Sequence, residues 1–292
     1  MPSFSAEVHT DLWGPSPVMS VGGWKYYVTF IDDHTCFTWL QILHTKDQAL
    51  DAYKTFVAWV HTQHGIQIKC LRSNHGGEYT SAVFTKFLNE QGTEWQLTTH
   101  DTLQHNGVAE LLNCHLVEHV QAILHQSELP KNLWGEAIHF CVWLKNWMST
   151  WAIGKATTPF ERLTRQKPNL TGVPEWGQCI WVHRGSDSKL DARASTVQWV
   201  SFNQDSLHTH CIYWPEKGSI LVERDVKFAS KWAVVYALHF PALQADPQVT
   251  VLPIAAPPTP PQAALPAAAA SPSPPQTATP SMKVRPHGSQ AA

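Results

Sequence analysis

The chain has 292 residues and a formal net charge of −2, and hydrophobic side chains make up 43% of it. This length accommodates one full domain, a smaller second domain and a tail, and the near-neutral charge excludes a protein that binds nucleic acid through a strongly basic overall field. No stretch is apolar over the roughly 20 residues that a membrane helix needs, and no signal peptide is recognisable, so we expect an intracellular protein without a membrane span.

Strand and helix patterns alternate over residues 1–168. Runs rich in β-branched and aromatic residues predict five strands, at Glu7–Leu12, Lys25–Asp32, Thr38–Leu43, Gln67–Leu71 and Trp95–Thr98. Apolar residues at three- and four-residue spacing predict four helices, at Ala49–His64, Ser81–Leu88, Asn106–Leu124 and Trp134–Ser149. The inner side of the third helix is predicted to contain Val108, Leu111, Leu112, His115, Leu116, His119, Val120 and Ile123. Three strands in series, followed by strands that alternate with helices, predict an α/β domain with a mixed five-stranded sheet.

The composition changes twice after this first domain. Residues 173–232 have strand-like periodicity throughout, which predicts a small all-β barrel. Residues 243–292 are dominated by Pro, Ala, Ser and Thr, and such a segment buries too little apolar surface to offset its ordering entropy. We therefore expect residues 243–292 to form a disordered tail that recruits protein partners.

Acidic and amide side chains occur where predicted strands end and a predicted helix begins. Asp11 closes the first strand, the string Ser-Asn-His-Gly-Gly-Glu at residues 73–78 follows the fourth, and Glu110 lies in the first turn of the third helix. An α/β sheet gathers its functional groups at such positions. These residues are therefore the candidate site.

Five motifs in order resemble one family. They are HTDLWGP (9–15), YVTFIDD (27–33), LRSNHGGEYTS (71–81), HNGVAE (105–110) and LPKNLWGEA (129–137), and they resemble the integrase core of copia-type LTR retrotransposons. A weaker similarity, in SKLDARA (188–194) and ERDVKF (223–228), extends to the SH3-like barrel that follows this core. The resemblance implies an RNase H-like fold over residues 1–168. No counterpart of the family's zinc-binding module or reverse transcriptase is expected in this sequence.

The resemblance also implies a site in which three carboxylates hold two divalent metals, Mg²⁺ or Mn²⁺. The first aspartate corresponds to Asp11 and the glutamate to Glu110, which are the two expected metal ligands. The second aspartate corresponds to Asn74, which is separated from Glu110 by 35 intervening residues, as the D,D(35)E pattern requires. Asp32 and Asp33 are weaker substitutes for the lost carboxylate, and the Gly-Gly turn is expected to direct Glu78 away from the site.

Further departures indicate decay of the ancestral activity. Leu111 and Leu112 follow Glu110 where the family usually has basic residues, and Cys36, Cys114, Gln121 and Trp147 stand where arginine is common. Each of these arginine replacements, like Asp to Asn at residue 74, is accessible through one C→T or G→A transition. The hypothesis that follows is a copy mutated by cytosine deamination.

Three functions remain open on the sequence alone. The first is a catalytically impaired, nuclear, nucleic-acid-binding integrase core that binds DNA or RNA as a homo-oligomer. The second is an active metal-dependent polynucleotidyl transferase that tolerates Asn74. The third is a non-enzymatic scaffold whose tail binds partners.

Overall fold

The computed structural model describes residues 6–97, 107–154, 156–183, 194–203 and 206–228. Two five-stranded sheets dominate it. The first contains the strands β1 (Glu7–Trp13), β2 (Tyr26–Asp32), β3 (Thr38–Leu43), β4 (Cys70–Ser73) and β5 (Glu94–Leu97).

The order of the first sheet is β3-β2-β1-β4-β5. β1, β2 and β3 pair antiparallel, whereas β4 is parallel to β1 and β5 is parallel to β4. The predicted mixed five-stranded, RNase H-like sheet is therefore confirmed. Because β1 and β4 run side by side in the same direction, residues at their carboxyl ends lie next to each other.

The helices are α1 (Ala49–His64), α2 (Ala82–Gln91), α3 (Gly107–Ser127), α4 (Trp134–Trp147) and the short α5 (Pro159–Thr164). Ser81 caps α2 as predicted, since its hydroxyl accepts a hydrogen bond from the backbone N–H of Phe84 at 3.3 Å. None of the helices in the described ranges is long and apolar enough to cross a membrane.

The second sheet contains β6 (Cys179–His183), β7 (Ala194–Asn203), β8 (Ser206–Trp214), β9 (Ser219–Glu223) and β10 (Val226–Phe228). All of its neighbouring strands are antiparallel, and their spatial order is β10-β6-β7-β8-β9. Among the described residues, its inner face shares a core with the helices of the first sheet. One hydrophobic cluster joins Leu116 of α3 and Trp134 of α4 to Ile180 and Trp199 of the second sheet. The division into domains at residues 168 and 173 stays a prediction, and residues 243–292 lie outside the described ranges.

Two details of the sequence prediction are wrong. β4 starts at Cys70 and not at Gln67. Its pairing with β1 begins only at Cys70, whose backbone N–H donates to the carbonyl of Ala6, just before β1, at 3.0 Å. On α3, four residues predicted on the inner side are exposed, namely Val108 (48%), Leu111 (58%), His115 and His119. The buried face of α3 instead contains Asn113, and a polar residue on a buried face is invisible to apolar periodicity.

Candidate active site

Asp11 is the centre of the candidate site. It lies on β1 opposite Thr29 of β2, and only 9% of its surface is exposed. β4 ends at Ser73, so the next residue, Asn74, emerges beside Asp11 at the same edge of the sheet. The sheet topology therefore brings together two residues that are 63 positions apart in the sequence.

Asn74 is held by two hydrogen bonds that fix the orientation of its amide. Its Nδ2 donates to Oδ1 of Asp11 at 2.8 Å, and its Oδ1 accepts from the backbone N–H of Gly76 at 2.9 Å. Turning the amide over would place its NH₂ group against the N–H of Gly76, and two donors would then face each other. The backbone thus requires that Asn74 present a donor, and not an oxygen, to Asp11.

A second amide occupies the other oxygen of Asp11. Nδ2 of Asn113, a 4% exposed residue on α3, donates to Oδ2 of Asp11 at 2.8 Å. Asn113 follows Glu110 by three residues, which is close to one helical turn. Neither the apolar spacing nor the family motifs single out Asn113. Its position on the same helix face as Glu110 was the available signal.

Burial raises the pKa of Asp11 from its ordinary value of 3.8 to about 6. The hydrogen bond from Asn113 opposes this rise, while repulsion from the carboxylates of Glu110 and Glu78 adds to it. Glu110 is exposed, and this repulsion indicates that its carboxylate is near Asp11, as the motif spacing predicts. Asp11, Asn74 and Glu110 therefore lie near one another, and their assignment as metal-site positions stays a prediction.

Glu78 differs from its prediction. The Gly-Gly turn leaves the carboxylate of Glu78 near enough to Asp11 for an electrostatic effect, because the charge of Glu78 contributes to the raised pKa of Asp11. The carboxylate folds back over Gly76, so closely that a Cβ atom at Gly76 would lie 2.3 Å from Oε1 of Glu78. Glycine at residue 76 accommodates this approach.

Asp32 and Asp33 are engaged elsewhere. Oδ2 of Asp32 accepts hydrogen bonds from the backbone N–H and the hydroxyl of Thr35, at 2.7 and 2.6 Å. Oδ1 of Asp33 lies 3.2 Å from Nε2 of the buried His9. Neither aspartate replaces the carboxylate missing at residue 74.

His9 also lies near another carboxylate, and the three side chains form a small acidic cluster. Nε2 of His9 is 3.6 Å from Oε1 of Glu7, which forms an ion pair with Arg72 at 2.8 Å. Since a guanidinium already supplies positive charge to Glu7, this cluster is an ion-pair network at the opposite end of β1 from Trp13.

The donor set of the candidate site does not fit a pair of divalent cations. Both oxygens of Asp11 accept amide hydrogen bonds, and the amide group of Asn74 that faces Asp11 carries hydrogens where a cation needs a lone pair. Asn74 also lacks the negative charge that would offset the repulsion between two metal ions.

The sequence is similar to retrotransposon polyproteins over most of its length. The chain is 34% identical over 224 residues to the retrovirus-related Pol polyprotein from transposon TNT 1-94 of Nicotiana tabacum, covering 76% of this chain and 17% of that protein. It is 28% identical over 223 residues to the Pol polyprotein from transposon RE2 of Arabidopsis thaliana, covering 76% and 15%, respectively. The chain is a homologue of copia-type retrotransposon Pol polyproteins. The predicted relationship to copia-type retrotransposons is therefore confirmed.

Other comparisons extend the range of relatives. The yeast Transposon Ty1-NL2 Gag-Pol polyprotein is 32% identical over 169 residues, which are 57% of this chain and 9% of that polyprotein. No family model matches the chain. A chain in a solved simian T-cell lymphotropic virus intasome, in complex with PP2A regulatory subunit B56 gamma, aligns with a TM-score of 0.44 and 12% identity, over 77% of this chain and 79% of that chain. This chain spans at most 17% of the length of the polyproteins named here.

Proposed function

We propose that this chain is an integrase core descended from a DNA-integration enzyme, which binds nucleic acid but is impaired in strand transfer. The observation that carries the proposal is the amide of Asn74, which donates to Asp11 in an orientation fixed by the N–H of Gly76. The ancestry comes from the Pol homologues, and the impairment follows from the chemistry of that contact.

A site of this ancestry with three carboxylates would hold two divalent cations, which would supply activation of the attacking oxygen and stabilisation of the leaving oxygen of a phosphodiester. Mg²⁺ and Mn²⁺ are the expected ions, and they prefer anionic oxygen ligands. Of the three expected ligand positions, Asp11 and Glu110 retain a carboxylate, whereas Asn74 offers no charge. The oxygen of Asn74 is also committed to Gly76.

The contact between Asn74 and Asp11 also removes the need for a cation. An aspartate at residue 74 would place a second carboxylate oxygen about 3 Å from Oδ1 of Asp11, because the side chains are isosteric. Two ionised carboxylates at that distance repel each other by about 6 kcal/mol at an effective dielectric constant of about 20, and a bound cation offsets this repulsion. With Asn74, the protein satisfies Asp11 without any ion.

The test is an oligonucleotide strand-transfer and disintegration assay in Mg²⁺ and in Mn²⁺. It compares the natural chain with the variants Asn74→Asp and Asn74→Asp/Glu110→Gln. We expect turnover from Asn74→Asp alone, because this variant restores the missing carboxylate. The double variant is the matched control, since it keeps Asp at residue 74 but loses the charge of Glu110.

Two other results would contradict the proposal. If the natural chain turns over as fast as Asn74→Asp, the account of Asn74 is wrong. If no variant turns over and the natural chain does not bind oligonucleotide, decay extends beyond residue 74, and the scaffold hypothesis is favoured.

One observation favours a second candidate, an active polynucleotidyl transferase. The carboxylate of Glu78 folds back over Gly76, two residues from Asn74, and its charge contributes to the raised pKa of Asp11. In this alternative Glu78 takes the place of the lost aspartate. Activity in the natural chain that disappears in Glu78→Gln would establish it.

The partners follow from the same ancestry. We infer that the chain acts on DNA or RNA in the nucleus and that it assembles as a homo-oligomer. The net charge of −2 means that such binding depends on local basic contacts, and few such contacts would give a shallow salt dependence. A shallow slope of log K against log salt in fluorescence-anisotropy titrations would agree with this view.

A further inference from the structure

An apolar groove of about 920 Å³ lies on the face of the protein formed by β3, α4 and β7, away from the carboxylates. Half-buried aromatic rings line both of its walls. One wall contains Phe37, Trp39 and Trp59, and along the other a row of rings runs from Phe202 through Trp143 and Trp147 to Phe160, with centroids 5.4, 4.6 and 4.9 Å apart.

The groove is suited to an uncharged, extended peptide. Its described lining contains no Asp, Glu, Lys or Arg side chain, which disfavours a phosphate backbone as the occupant. β3 is the edge strand of its sheet, and the backbone N–H of Thr38 points away from β2, to Oδ1 of Asn146 at 2.9 Å. Because alternate residues of a strand face the same side, the backbone groups of Leu40 and Ile42 point into the groove as well.

The described chain ends beside this groove. The ring of Phe228, the last residue of β10, is 5.7 Å from the ring of His210, which is 5.7 Å from the ring of Phe202 in the groove wall. Three residues, 229–231, separate Phe228 from Trp232, and an extended stretch of that length spans about 10 Å. Trp232 is therefore within reach of the groove.

The segment that follows has the pattern of a strand with one strongly apolar face. Its even-numbered residues are Trp232, Val234, Tyr236, Leu238 and Phe240, and its odd-numbered residues are Ala233, Val235, Ala237 and His239. Alternation of large and small side chains is typical of a strand that packs on one side. The segment contains no Asp, Glu, Lys or Arg, which matches the uncharged groove, and Pro241 marks its end.

We propose that residues 232–240 of the same chain occupy this aromatic groove as an extended segment, with the even-numbered side chains on the rings of α4, β7 and β3. The groove runs beside residues 37–42 of β3, a length of about 20 Å, which accommodates about six residues of the segment. The segment would thereby cover an aromatic surface that otherwise invites association between copies.

Hydrogen–deuterium exchange on the full 292-residue chain tests the proposal. One double variant, Trp232→Asp/Tyr236→Asp, changes the face assigned to the groove. Its matched control, Ala233→Asp/Ala237→Asp, adds the same two charges to the opposite face. In the natural chain, we expect amides 232–240 to exchange at least about tenfold more slowly than in an unstructured peptide, because docking in the groove adds a local opening step before exchange.

The even-numbered variant should lose this protection and should also speed exchange in residues 37–43, whereas the control should resemble the natural chain. Exchange in β1 and α1 reports whether each variant remains folded. If residues 232–240 of the natural chain exchange like a free peptide, the proposal is wrong. It is also wrong if the two variants behave alike, or if protection rises with protein concentration, since a second copy would then be the occupant.

A photo-cross-linking measurement avoids any loss of folding in the Asp variants. A benzophenone side chain at residue 234 should cross-link within one chain to peptides that contain Trp143 or Phe202. The same group at residue 235 should give little of this product. Equal yields at both positions, or cross-links only between chains, would overturn the assignment.

Discussion

Asn74→Asp should make the stability of this protein depend on divalent cations. The new Asp would keep the hydrogen bond from Gly76 but would replace a donor 2.8 Å from Asp11 by an acceptor. A hydrogen bond to a charged group contributes roughly 1.5–3 kcal/mol, and carboxylate repulsion of about 6 kcal/mol is limited by protonation and by side-chain movement. We expect a net loss of about 3 kcal/mol at mildly alkaline pH without divalent ions.

Thermal unfolding with and without Mg²⁺ is the assay. A loss of 3 kcal/mol lowers the Tm by roughly 6–12 °C in a protein of this size. A cation present at about 100 times its Kd restores about 2.7 kcal/mol, so Mg²⁺ should recover most of the loss in Asn74→Asp. The natural chain should respond little to Mg²⁺, because its Asp11 is already satisfied by two amides.

Asn146→Asp is the matched control. Asn146 is also buried, but its amide pairs with the backbone of Thr38, so this variant should lose stability without recovery in Mg²⁺. If Asn74→Asp is as stable as the natural chain in EDTA, or if Mg²⁺ stabilises both chains equally, the argument from the Asn74–Asp11 contact is refuted.

The remaining predictions concern the ionisation of Asp11 and the attachment of α4. Because the pKa of Asp11 is raised from 3.8 to about 6, the folded protein holds the Asp11 proton more tightly than the unfolded chain does. About 3 kcal/mol of stability is therefore lost as the pH rises from about 4 through 6. Chemical unfolding of the natural chain should show this loss, and Asp11→Asn should lack it. In carboxyl NMR titrations Glu78→Gln should lower the pKa of Asp11, whereas Asn113→Ala should raise it, and shifts in the same direction would contradict the assigned causes. Asn146→Ala removes two hydrogen bonds to the backbone of Thr38, at 2.9 and 2.7 Å, and should cost roughly 2 kcal/mol in urea unfolding, while Asn89→Ala on the surface should cost little.

The sequence predicts most of the first sheet because its signals are local. β-branched runs and the serine cap of α2 each report a contact within a few residues, and these elements are placed correctly. The site positions Asp11, Asn74 and Glu110 were found through the family motifs. No local pattern brings residue 11 next to residue 74.

The parts that the sequence did not predict depend on tertiary contacts. Asn113 is buried because it donates to Asp11, and hydropathy assigns such a residue to the surface. Glu78 turns back over Gly76 because that residue has no side chain, which motif spacing does not show. The start of β4 is set by its pairing with the chain before β1, and that contact crosses more than sixty residues.

The hydrophobic cluster shared by the two sheets has a consequence for how this segment can be inherited. Leu116 and Trp134 pack with Ile180 and Trp199, so neither sheet retains a complete interior without the other. A recombination breakpoint between residues 168 and 173 would leave two fragments with apolar faces open to water, and such fragments aggregate or are degraded. Genomic shuffling should therefore transmit the coding sequence of both sheets together. Copies truncated between the sheets should persist in a genome without giving a stable folded protein.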